Sequence, residues 1–79
     1  MAERTDSSQK LDRSEVASLL VELAEEFDSG DETVQVSVGN KTVSLTPAET
    51  VTTTVEVVER SPMFGGGEEK IDIELRWKR

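Results

Sequence analysis

Seventeen carboxylates and nine cationic side chains carry whatever chemistry this chain can do, because it contains neither histidine nor cysteine. Nucleophilic triads need a general base, and the imidazole that usually serves is absent. Paired carboxylates can do acid–base work only where one is buried and its pKa is raised. The acids here, Glu22, Glu25, Glu56 and Glu74 among them, fall on registers that face solvent. The chain is therefore expected not to be an enzyme. A metal would have to be held by oxygen ligands alone, which narrows the ions to Mg²⁺, Ca²⁺ or Mn²⁺.

Two segments invite a ligand reading. Asp28-Ser29-Gly30-Asp31-Glu32 gathers oxygens around a glycine, as calcium loops do. It lacks the alternate ligand spacing over about 12 residues and the closing bidentate Glu of a true calcium loop. A helix stop at Gly30 is the simpler reading, with weak cation binding as its alternative. Gly65-Gly66-Gly67 precedes Glu68 and Glu69 and leads into a strand. A phosphate cradle instead follows a strand, carries a Lys and opens a helix. The triple glycine is expected to be a flexible loop. No catalytic, cofactor-binding or metal-binding residue is assigned, and no cofactor is expected.

What remains is contact chemistry. Trp77 is the sole Trp; it reads as a residue that caps the core, with an interface anchor as the alternative. Met63 and Phe64 form an apolar pair on the glycine-rich loop, either folded back on the core or offered for docking. Trp77, Met63 and Phe64 are the candidate interface residues.

Charge narrows the partners. The net charge is -8, and the densest basic stretch is Arg76, Lys78 and Arg79, too little to displace counterions from a phosphate backbone. Nucleic acid is not expected as a partner. Excess acid keeps a protein soluble. It also suits concentrated salt, where a Debye length of about 3 Å at 1 M removes self-repulsion. No apolar run approaches the roughly 20 residues that cross a bilayer, and residues 1–10 lack the apolar stretch of a signal peptide. A cytoplasmic protein with no membrane partner is expected.

These side chains need a scaffold, and 79 residues allow one small domain. Residues 1–11 read as a flexible polar tail. Asp12 and Glu15 have capping-box spacing, and Val16, Leu19, Leu20, Leu23 and Phe27 then recur three and four apart. That is one apolar stripe on a helix of about four turns, stopped at Gly30. Residues 33–38 alternate through Val34, Val36 and Val38. Gly39-Asn40 is a two-residue hairpin signal, and residues 41–45 return with Val43 and Leu45 inward. After a turn at Pro47, residues 50–60 are β-branched and place Val51, Thr53, Val55 and Val57 on one face. Residues 70–78 alternate most cleanly, with Ile71, Ile73, Leu75 and Trp77 opposite Asp72, Glu74, Arg76 and Lys78. The fold class expected is α+β: one amphipathic helix packed on one face of an antiparallel four-stranded β-meander, spanning residues 12–79.

The capped helix Arg13-Ser14-Glu15-Val16-Ala17 through Leu23-Ala24-Glu25, then Gly30, Val55-Glu56-Val57 and the closing Ile71-Asp72-Ile73-Glu74-Leu75-Arg76-Trp77 together resemble the amphi-Trp domain family. That family takes its name from such an amphipathic strand ending in Trp and is common in halophilic archaea. The resemblance runs over residues 12–77, and its most specific part is the closing strand. It implies an intracellular protein adapted to salt, and it brings no activity or cofactor. Two features depart from the family pattern. Residues 1–11 are more polar than the strand the family would place before the helix, and Met63-Phe64-Gly65 makes the last loop longer and more apolar.

The function expected is that of a small interaction module, forming a homodimer or binding a protein partner. A protein that binds a small ligand or a divalent cation is the alternative. A core this small supplies only about 3–5 kcal/mol of net stability, which favours a supplement from association.

Overall fold

The computed structural model describes residues 3–61 and 65–79. Its elements follow in the order α1 (Arg13–Asp28), β1 (Val34–Val38), β2 (Lys41–Leu45), β3 (Thr52–Arg60) and β4 (Glu68–Arg76). The chain divides into two compact units, Met1–Thr46 and Pro47–Arg79.

In the first unit the helix starts where its cap predicts. Asp12 is extended at φ -68° and ψ 159°. Its N–H donates to Glu15 Oε1 at 3.2 Å, and its carbonyl accepts the Val16 N–H at 3.0 Å. One of the backbone groups left over at the helix start is thereby satisfied. Sixteen residues later the helix stops at Ser29, whose hydroxyl donates to the Glu26 carbonyl at 2.9 Å and accepts the Asp31 N–H at 3.2 Å. Gly30 follows at φ +81°, a left-handed conformation that L side chains resist.

β1 and β2 then pair as an antiparallel hairpin from Val34↔Leu45 to Val38↔Lys41. Gly39 has φ +63° and Asn40 does not have a positive φ, the pattern of a type II′ turn. Gly39 is needed twice over. A Cβ there would lie 3.0 Å from Ser7 Oγ, so residues before the helix run beside this turn. Residues 3–12 form no strand. The helix packs on β1. Val34, 2 % exposed, is the fully buried apolar residue of the described chain. Leu23, Phe27, Val36, Val38 and Val43 are half-buried. Only the second half of the helical stripe is used in this way; Val16, Leu19 and Leu20 are 41–46 % exposed.

The second unit is the β3–β4 hairpin, paired antiparallel over nine residue pairs from Thr52↔Arg76 to Arg60↔Glu68. Its register sets Thr53 opposite Leu75, Val55 opposite Ile73 and Val57 opposite Ile71. The two alternations read from sequence therefore share one face, as the period of two requires.

The α+β class, the helix and the run of antiparallel strands are those expected. The ladder is not continuous: the meander is split into two two-stranded sheets, β1–β2 and β3–β4. Residues 46–51 between them include Pro47, which has no N–H to contribute to a ladder, and a bend at residues 49 and 50. β4 also begins two residues earlier than the alternation suggests, at Glu68, and ends at Arg76, which leaves Trp77 and Lys78 just beyond the strand.

Candidate interaction surface

Alternation sorts the β3–β4 hairpin into two chemically different faces. On one, the directly opposed pairs Val55/Ile73 and Val57/Ile71 form an apolar quartet, its members 54–70 % exposed. Opposed β-branched side chains lie about 4.5–5.5 Å apart at Cβ, so the four make a contiguous patch. Leu75 extends that face and is half-buried.

The other face is polar apart from Val58, which is half-buried opposite Lys70. Lys70 Nζ lies 3.2 Å from Asp72 Oδ2, and Arg76 lies 3.9 Å from Glu74. Both pairs join residues two apart on one strand, which the pleat places side by side. The hydrogen bond that Lys70 donates to Asp72, together with that carboxylate's charge, holds the Lys70 pKa above the ordinary 10.5. The pair is open to water, so it adds little to stability.

Of the three residues singled out from sequence, Trp77 is half-buried immediately after β4, two residues beyond Leu75. Met63 and Phe64 lie outside the described residues. The segment from Asp28 to Glu32 forms the local turn around Ser29 described above, and among the described residues no cluster of three or more acids is arranged to hold a metal ion. Gly65 has φ +94° and open space around its α-carbon.

Glu26 is the residue whose role sequence reading missed. It is not one of the apolar positions of the helical stripe, yet it is half-buried, and its Oε1 accepts the Gln35 N–H of β1 at 2.7 Å. The Gln35 side chain continues the link: its Oε1 accepts the Ser44 hydroxyl of β2 at 2.8 Å. The signal was present in the spacing, since Glu26 sits three residues after Leu23 and next to Phe27, on the border of the apolar stripe. Beside it a groove of about 350 Å³ runs between helix and strand. Leu19, Leu23 and Val36 line it together with Glu22, Glu25 and Glu26.

Among the described residues no helix is long and apolar enough to cross a membrane.

A capped amphipathic helix on one small hairpin, with a second hairpin that is apolar on one face and ends beside a Trp, defines a small α+β domain built around amphipathic strands. The family model of the Amphi-Trp domain matches residues 1–79, the whole chain, and the chain belongs to that family. The match takes in residues 1–11 as well as the helix and strands. No curated protein and no solved structure matches it.

Proposed function

We propose that this protein is a small, non-enzymatic interaction module that works by association, as a homodimer or with a protein partner, through the apolar face of the β3–β4 hairpin. One observation carries the reading: Val55, Val57, Ile71 and Ile73 form a contiguous patch and are more than half exposed. Exposed apolar area of this kind is what association removes from water, at about 25 cal/mol per Å². Trp77, half-buried just beyond β4, is the residue we infer to anchor such a contact. The net charge of -8 and the family's salt-loving hosts further favour an intracellular protein that works in concentrated salt.

Light scattering across protein and salt concentration tests the reading, together with affinity capture from the native cell. A dimer or a defined complex that Ile73→Glu dissolves is the expected result. A strict monomer at millimolar concentration that captures nothing would count against it.

The groove beside Glu26 supports a second reading, a site for a small ligand, because Leu19, Leu23 and Val36 give it an apolar floor with polar side chains at its border. Titration with a nucleotide, followed by amide shifts, separates the two. Shifts confined to Leu19, Leu23 and Val36 would favour the ligand; their absence would remove it.

A further inference from the structure

The first hairpin has an outer edge of its own, and we propose that Glu26 guards it, holding off the β1 strand of a second copy of this chain. The argument begins with hydrogen-bond parity. A two-residue turn makes Val38 and Lys41 a hydrogen-bonded pair, so Val36/Val43 and Val34/Leu45 are hydrogen-bonded in turn. Gln35 and Ser37 then point their N–H groups away from β2. Among the described residues no strand hydrogen-bonds to that side, since β1 pairs with β2 alone.

Such an edge is a template for another strand. The pairing that uses both outward residues sets Gln35 of one copy against Ser37 of the other, with Val36 facing Val36 across a twofold axis. It would extend the Val34, Val36, Val38 alternation into one four-stranded sheet. The Glu26 carboxylate stands in its way. It occupies the Gln35 donor at 2.7 Å. A second copy would also bring its own Glu26 to the same place, and two carboxylates on a partly desolvated edge repel. Association is thereby kept off β1. This inference concerns the first unit and does not depend on the β3–β4 surface proposed above.

The chain has no native cysteine, so Val36→Cys provides a clean reporter of β1–β1 pairing. Under mild oxidation it should form disulfide-linked dimers readily when combined with Glu26→Ala, and only slowly with native Glu26. Glu26→Gln, which keeps an acceptor but loses the charge, should fall between the two. In a second measurement, at low protein concentration and without the cysteine, amide exchange at Gln35 should speed up about fivefold to tenfold in Glu26→Ala. Equal cross-linking with and without Glu26, or unchanged Gln35 exchange, would overturn the proposal. Dimers that form irrespective of residue 26 and dissolve with Ile73→Glu would overturn it while leaving the β3–β4 reading intact.

Discussion

Gln35 donates its backbone N–H to the Glu26 carboxylate at 2.7 Å, a link nine residues long that ties the last turns of α1 to the outer edge of β1. A hydrogen bond to a charged acceptor is worth about 1.5–3 kcal/mol when protected from water. Glu26 is only half-buried, so the lower part of that range applies. Glu26→Ala should lower the unfolding free energy by about 1.5–2 kcal/mol, and Glu26→Gln should recover most of the loss because the amide oxygen still accepts. Urea unfolding of the three proteins under identical conditions checks this; equal midpoints would mean that the link carries no weight.

Val55 and Ile73 face one another on the exposed side of the second hairpin. Replacing Ile73 by Thr keeps the β-branching that strands favour while removing apolar area. Fold stability should change by less than about 1 kcal/mol, whereas self-association or partner binding should weaken at least tenfold. The readouts are a thermal melt at low concentration and a sedimentation series. A variant that loses stability without losing association would place the residue in a core.

Trp77 tests the two roles weighed for it from sequence. Truncating a fully buried aromatic costs about 3–5 kcal/mol, and a half-buried one should cost less, about 1–3 kcal/mol. Trp77→Ala is expected in that lower range. If the ring also anchors an interface, its fluorescence should shift on dilution, as association is lost. An unchanged melting temperature combined with lost association would make it purely a contact residue.

Gly39 should be intolerant of substitution for two separate reasons, its φ of +63° and the approach of Ser7. Gly39→Ala should cost about 1–2 kcal/mol, from left-handed strain and the crowded Cβ together. Adding Ser7→Gly should relieve only the crowding, so recovery is partial. Full recovery in the double variant would show that the backbone conformation there is unstrained.

Lys70 carries a pH dependence of its own. Its folded pKa is raised, principally by Asp72, so the pair's contribution is fully present below the ordinary value of 10.5 and is lost as pH rises through the higher folded value. Stability should therefore be insensitive to this pair from pH 6 to 9, and the small loss above pH 10.5 should vanish in Asp72→Asn. Melting curves over that range in both proteins give the answer; a loss near neutral pH would point to some other group.

Much of this was legible in the residues themselves. The cap at Asp12 and Glu15, the stop at Gly30 and the turn at Gly39 are short-range devices, written in side chains that satisfy or bend the backbone within four residues of themselves. The alternation from Ile71 to Leu75 likewise decided that these side chains share a face, because a strand has a period of two and no other choice. The absence of histidine and cysteine is likewise a matter of composition alone, and it leaves the chain without imidazole, thiolate or disulfide.

Tertiary structure decided what no local pattern encodes. It divided the four strands into two hairpins, because pairing between β2 and β3 depends on the path of the chain through Pro47 and not on the alternation of either strand. It set Val55 against Ile73 and Val57 against Ile71, a register on which neither strand alone could insist. It also brought Glu26 of the helix to the edge of a strand. Helical periodicity gives the direction of a side chain around its own axis, but the donor that side chain meets belongs to another element, and only packing brings the two together.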